Sequence, residues 1–357
     1  MTGYANTSAT SNTFGNNLKE DPQLTDNDLL VIGAPDVEAA LHGREHDIMD
    51  AVQKAYETHS RGASSLPHSS FLRFPDSDKD RIICLPAYLG DDYQLAGVKW
   101  IASVPGNVPK GIERASAVMI LNDRETGRPT TVLEGSIVSK QRTAASAALA
   151  SKVLAAEAPD TIGFVGCGPI NVAVASFLQA AWPNTKKLLA FDLDPVRAQA
   201  FGEAIGPFFK NAEFTIAASL EEVMANSPMV AFATTAINPY IDNLDSSPEN
   251  ATILHVSLRD LKPGAILPNH NIVDDLDHVC RAGTSIFLTA EETGNRDFVH
   301  SSLGDILLGN KPVPERDGRP VVFSPFGLGV LDLAVADLVQ KSVADRKAGT
   351  NVTSFLP

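Results

Sequence analysis

One segment near the middle of the chain restricts its fold more than any other: TIGFVGCGPINVAVASFLQAAW, from Thr161 to Trp182. An apolar run ends at Val165, Gly166-Cys167-Gly168 follows, and helix-forming residues come next. Gly166 suits a tight turn, and Gly168 has no side chain to obstruct a pyrophosphate. Behind Pro169, the free N–H groups of Ile170 and Asn171 at the helix opening would face that charge. Asn171 stands where a third glycine or small residue usually lets helix and strand pack closely, so its amide is expected to bond to the loop or to a phosphate. The next apolar strand, LLAF, ends on Asp192. A carboxylate there accepts ribose hydroxyls and repels a 2′-phosphate, which favours NAD over NADP, although Arg197 lies nearby.

The pattern around this loop alternates. Strand 161–166, helix 169–181, strand 187–192, helix 194–205, strand 213–217, helix 219–226 and strands 229–235 and 252–257 predict a doubly wound parallel sheet. A nucleotide-binding unit that starts so late implies a different unit before it. Residues 36–60 have helical spacing, and RIICLPAYL, LAGVKWIASV, SAVMILND and TTVLEGS read as strands parted by turns, which predicts a mixed or antiparallel sheet. From Arg142, RTAASAALASKVLAAEA reads as an Ala-rich helix that leads into the glycine loop. The stretch VVFSPFGLGVLDLAVADLVQKSVADR reads as a turn and then an amphipathic helix, in which Asp332 is expected to cap or pair.

With 357 residues and 44% hydrophobic content, the chain has material for two cores. A net charge of -14 argues against a nucleic-acid partner, and any anion site must be built locally from single Arg and Lys side chains. No apolar run reaches the roughly 20 residues needed to span a bilayer. Residues 1–27 show no secretory leader and read as a flexible tail. Cys84, Cys167 and Cys280 form no CxxC pair, which fits a reducing cytoplasm, and Cys167 reads as a small filler. His42 and His46 are spaced i, i+4 without a completing carboxylate, so no metal is expected.

Taken together, GVKWIASVPGN, ASAVMILNDRETGRPTTVLEGSIVSKQRTAASAALAS, IGFVGCGPIN, LGDILLG and FSPFGLGVLDLAVADL resemble the ornithine cyclodeaminase and mu-crystallin family. SLPHSSFLRFP and HVSLRDLKPGAI are more similar to its branch of 2,3-diaminopropionate-forming dehydrogenases, which oxidise N-(2-amino-2-carboxyethyl)-L-glutamate with NAD. The resemblance implies an α/β fold with a Rossmann NAD-binding domain (144–325) inserted into a discontinuous α+β substrate-binding and dimerisation domain (28–143 plus 326–357). It also implies a homodimer and a small acidic amino-acid substrate. Ornithine cyclodeaminase or a related amino-acid or imine dehydrogenase stands as the alternative activity, and a mu-crystallin-like binding protein as the alternative class.

By the same resemblance Arg73, Lys99 and Arg142 hold the substrate carboxylate, a task suited to the planar guanidinium fork. Arg142, read as opening the Ala-rich helix, gains from the helix dipole. Arg114 is a further candidate, and His68 is either a ligand, an acid–base group or a structural histidine. Lys99, if buried, has a lowered pKa and can exchange a proton. Asp260 resembles the family's catalytic aspartate but stands three residues before Pro263 instead of two; an ordinary turn aspartate is the competing reading. Thr143, Thr234, Thr235 and Ser257 are expected beside the cofactor.

Overall fold

A computed structural model describes residues 27–281 and 283–357. The expected tail lies outside them, apart from its last residue. The chain begins with β1 (Leu29–Ile32), α1 (Ala34–Leu41), α2 (Glu45–Ser60), β2 (Ser64–Ser65), β3 (Ser70–Phe74), β4 (Ser77–Leu89), β5 (Leu95–Ser103), β6 (Ala115–Asn122) and β7 (Pro129–Glu134). Then come α3 (Ser136–Leu154), β8 (Thr161–Val165), α4 (Pro169–Ala181), β9 (Lys187–Phe191), α5 (Pro195–Ile205), β10 (Glu213–Ile216), α6 (Leu220–Asn226), β11 (Met229–Phe232) and β12 (Thr252–His255). The remainder is α7 (Pro263–Ile266), β13 (His270–Val273), α8 (Leu276–Val279), α9 (Ser285–Thr293), β14 (Val299–Ser302), α10 (Leu303–Leu307), β15 (Val321–Ser324), α11 (Gly329–Arg346) and β16 (Thr350–Val352).

The first sheet runs β16-β1-β7-β6-β5-β4-β2, with β3 added on β4. Its pairs are antiparallel except β1 with β7. Side chains alternate across β5: Lys99 points to the face where Met119 and Leu133 are buried, while Trp100 points to the other and is 42% exposed. The second sheet is wholly parallel, in the order β10-β9-β8-β11-β12-β15-β13-β14. Because β16 and α11 return to the first sheet after β15, the parallel sheet is an insertion, and the architecture is α/β with a Rossmann-like unit inside an α+β one. The predicted strands through β12 are present. VVFS, read as a turn, is instead β15, which lies between β12 and β13.

Helix α3 joins the two units. It touches α2 and β6 on one side and α4, β12 and β15 on the other. Ala144, Ala145, Ala147, Ala148 and Ala150 are all fully buried, since small side chains let a helix be covered all round. One apolar core accordingly continues from Ile32 and Val52 through α3 to Phe164 and Phe323.

Candidate active site

Strand order reverses between β8 and β11, and at such a switch point the carboxyl ends of the strands leave a crevice. A cavity of about 230 Å³ lies there. Ile170 from the first turn of α4, Thr234 after β11, Ser257 after β12 and Phe326 after β15 line it on the side of the parallel sheet. Arg142, Thr143 and Ser146 of α3 line it on the other.

The glycine loop has the form a dinucleotide requires. Gly166 has φ +84, and a Cβ there would sit 2.7 Å from the Ala233 carbonyl oxygen, so the turn excludes any side chain. A Cβ on Gly168 would meet nothing, which leaves open approach to the N-terminus of α4 behind Pro169. Asn171 is fully buried, and its Nδ2 donates to the carbonyls of Val165 (3.1 Å), Gly166 (2.8 Å) and Ala231 (3.2 Å). Of the two expected partners it takes the loop, tying β8 to β11. Asp192 accepts from the N–H of Cys167 (2.7 Å) and of Asp194 (2.9 Å), which braces its carboxylate beside the loop. Burial, reinforced by Asp192, pushes the Cys167 thiol up to about 12 and keeps it protonated and unreactive.

Behind the other wall and off the cavity lining, Lys99, 2% exposed, donates to both Asp332 oxygens (2.8 Å each) and to Ser139 Oγ (2.9 Å). Arg142 Nε donates to Asp332 Oδ1 at 3.0 Å. Two cations thus share one carboxylate, and of these three side chains Arg142 is the one that lines the cavity. Burial lowers the Lys99 pKa to about 8; Asp332 opposes the shift and Arg142 adds to it. Asp332 does not cap or pair within its own helix as expected: it is the buried counter-ion of both cations. Nor does Arg142 open a helix, because α3 starts at Ser136. The dipole argument therefore lapses, as that field is confined to the first turn. Gly327, at φ +94, lies against this guanidinium, and a Cβ there would stand 2.5 Å from Arg142 Nη1.

Asp260 is fully buried and off the cavity lining. It accepts short hydrogen bonds from Thr234 Oγ1 and Ser257 Oγ, another from the Tyr240 hydroxyl at 3.1 Å, and lies 3.2 Å from His255 Nε2. Burial raises its pKa, but the bonds from His255, Ser257 and Thr234 outweigh that and hold the carboxyl below its ordinary range. Its carboxylate thus anchors the two loops that line the cavity. Thr235 is exposed and off the lining. His68 is exposed, its ring edge-on to His278 at 5.4 Å. Arg73 and Arg114 lie on the Lys99 face of the first sheet, at the far end of β5.

Sequence reasoning missed Ser139, Ser146 and Tyr56, whose hydroxyl bonds Ser146 Oγ at 2.7 Å. It also missed Asp274, which accepts from the N–H groups of Phe326 (2.9 Å) and Gly327 (2.6 Å) and so shapes the cavity rim. A signal existed for Asp332: one acid inside the apolar run GVLDLAVA needs a buried partner. Serines carry no such mark.

N-((2S)-2-amino-2-carboxyethyl)-L-glutamate dehydrogenase of Staphylococcus aureus is 27% identical, over 92% of this chain and 99% of that protein. An archaeal alanine dehydrogenase dimer with bound NAD superposes with a TM-score of 0.80 at 25% identity, covering 91% of this chain and 99% of that one. Delta(1)-pyrroline-2-carboxylate reductase of Thermococcus litoralis, in complex with NADH and L-proline, shares the fold with a TM-score of 0.84 at 24% identity, over 91% and 100% of the two chains. The ornithine cyclodeaminase/mu-crystallin family matches residues 30–347, and the chain belongs to that family.

Proposed function

We propose that the chain is an NAD-dependent oxidoreductase acting on a CH–NH bond, and that it cleaves N-(2-amino-2-carboxyethyl)-L-glutamate to 2,3-diaminopropionate and 2-oxoglutarate. The observation that carries this reading is the switch-point cavity, where Arg142 faces Ile170, Thr234 and Ser257 across the place a nicotinamide would take. The S. aureus relative, matched over nearly its whole length, supports the substrate.

In this reading Gly166, Gly168, Pro169 and Ile170 form the pyrophosphate cradle, Asn171 braces it from behind through the loop carbonyls, and Asp192 holds the ribose. Thr143, Thr234 and Ser257 border the nicotinamide, and Thr235 is left to the rim. A bound nicotinamide supplies the acceptor for the hydride that leaves the glutamate Cα. Arg142 binds the carboxylate beside that carbon, held in place by Asp332. Lys99 takes up the proton lost from the secondary amine as the C=N bond forms, which its pKa of about 8 permits near neutral pH. Water then adds to the imine carbon and the C–N bond breaks, releasing the amine. Asp260 acts through the loops it anchors, as a positioning residue. His68 is assigned to the pocket's outer rim.

The even-numbered face of the first sheet, with Trp100 at 42% and Leu72 at 46% exposure, is where two copies would pair, and three unpaired cysteines suit a cytoplasmic enzyme. Among the described residues no helix is long and apolar enough to cross a membrane. The likeness to the alanine dehydrogenase favours a second reading, an amino-acid dehydrogenase for a monocarboxylate. Purified protein with NAD, given the tricarboxylate, alanine or ornithine in turn, separates the readings. Accumulation of NADH and 2-oxoglutarate with the first alone is the expected result; NADH with alanine, or ammonia from ornithine without net NADH, would replace it.

A further inference from the structure

We propose that Asp260 fixes Thr234 and Ser257 as hydrogen-bond acceptors toward the cavity, and that these two hydroxyls select the cofactor by the NH2 group of its carboxamide. The proposal rests on the reading that a nicotinamide lies in the switch-point cavity, and it names the residues that would read the amide.

A free hydroxyl rotates to serve a donor or an acceptor, but those in this cavity are tied. Thr234 Oγ1 and Ser257 Oγ each donate to a different oxygen of Asp260. Despite burial, bonds from His255, Ser257 and Thr234 hold this carboxyl below its ordinary range, so it is ionised and can only accept. Each hydroxyl has therefore spent its single proton, and what it presents to the cavity is lone pairs. Thr234 Oγ1 also accepts from the Ala236 N–H at 3.2 Å, which leaves it one lone pair for a ligand. The neighbouring backbone is committed too. The N–H groups of Val256 and Ser257 go to the Leu254 and Phe232 carbonyls, at 3.0 Å each, that of Phe326 goes to Asp274, and Pro325 has none.

The side lined by α3 is set differently. Thr143 donates to the Ser139 carbonyl at 2.7 Å and is a third acceptor, but Ser146 is a donor. Among the described residues Ser146 Oγ bonds only the Tyr56 hydroxyl, at 2.7 Å, and Tyr56 is fully buried. If Ser146 gave the proton of that bond, the phenol hydrogen would be left unpaired in the interior, a costly orphan; if Tyr56 gives it, the serine hydrogen is free for the cavity. Arg142 and Ser146, one helical turn apart, thus offer hydrogens from one face of α3. A carboxamide that turned its NH2 toward them would set hydrogen against hydrogen. Turned toward Thr234 and Ser257, it finds two acceptors. A methyl ketone in place of the amide has no hydrogen to give and leaves both oxygens unpaired, and a site built around such hydrogen bonds rejects the analogue that lacks them.

The test titrates the full chain by calorimetry with NAD and with two analogues altered only at the amide. Acetylpyridine adenine dinucleotide has a methyl group in place of NH2, whereas thionicotinamide adenine dinucleotide keeps NH2. Wild type should bind the acetylpyridine nucleotide about tenfold or more weakly than NAD, and the thionicotinamide one within about threefold of it. Ser257→Ala and Thr234→Val should each shrink the first ratio, chiefly by weakening NAD. Asp260→Asn, whose amide can donate to one hydroxyl and so release that hydroxyl's proton, should shrink it by strengthening the acetylpyridine nucleotide relative to NAD. Loosened loops alone would weaken all three nucleotides alike and leave the ratio unmoved. The proposal is overturned if wild type binds the acetylpyridine nucleotide as tightly as NAD, if it disfavours both analogues equally, or if neither hydroxyl variant changes the ratio. Turnover is scored separately. Amide-dependent binding without oxidation of the proposed substrate would refute the reaction and keep the amide reading, and oxidation without such dependence would do the reverse.

Discussion

At the scale of single residues, the account turns on Lys99. Its amine is buried against one carboxylate and one guanidinium, and desolvation brings its pKa down to about 8 from an ordinary value of 10.5. A base must be deprotonated to act, so kcat/KM for amine oxidation should rise with pH through about 8 and level above it. Lys99→Arg, which keeps the charge but cannot lose its proton, should abolish that limb and lower the rate about 100-fold or more. A pH–rate profile checks this, and an unaltered limb in the variant would remove Lys99 from the chemistry. The residue itself was legible, because GVKW places a cation inside an apolar strand. Its partner was less so: Asp332 lies 233 positions away, and only the return of α11 to the first sheet brings the two together.

At the scale of elements, loops after β11 and β12 must hold their shape for the cavity to exist. Asp260 joins them by accepting from Thr234, Ser257 and Tyr240 inside a fully buried pocket. Asp260→Ala should destabilise the protein by about 3 kcal/mol in chemical denaturation, since several buried donors lose their acceptor, and should raise KM for NAD. The carboxyl has a depressed folded pKa, so its contribution is present above the unfolded value of about 3.9 and is lost as pH falls through the folded one. Asp260→Asn should remove that acid dependence; equal denaturation midpoints for wild type and Asp260→Ala would show that the loops do not need the anchor. The alternating strands and helices from Thr161 to His255 were readable because each begins or ends on a local signal: Gly166 at the turn, Asp194 and Ser219 as side-chain caps. Strand β15 was not, because VVFS is a short apolar run next to proline and glycine and its strand state comes from β12 and β13 on either side. The start of α3 was misplaced for a similar reason: Glu134 side-chain oxygens accept from the N–H groups of Ser136 and Ile137, a cap the Ala-rich composition does not advertise.

At the scale of the whole molecule, a parallel sheet that takes a dinucleotide is inserted into a sheet that supplies cations, and α3 joins them. The open face of the first sheet carries Trp100 and Leu72 into solvent, so Trp100→Glu should convert a dimer to monomer in analytical ultracentrifugation while leaving the fold intact. A wild-type chain that sediments as a monomer would end that assignment. The central claim is direct transfer of a hydride from the glutamate Cα to a nicotinamide seated over the glycine loop. Its closest test is to supply N-(2-amino-2-carboxyethyl)-L-glutamate deuterated at that carbon and weigh the NADH formed. The account predicts NADH that carries the deuterium, together with slowed transfer; unlabelled NADH, or none at all, would contradict it.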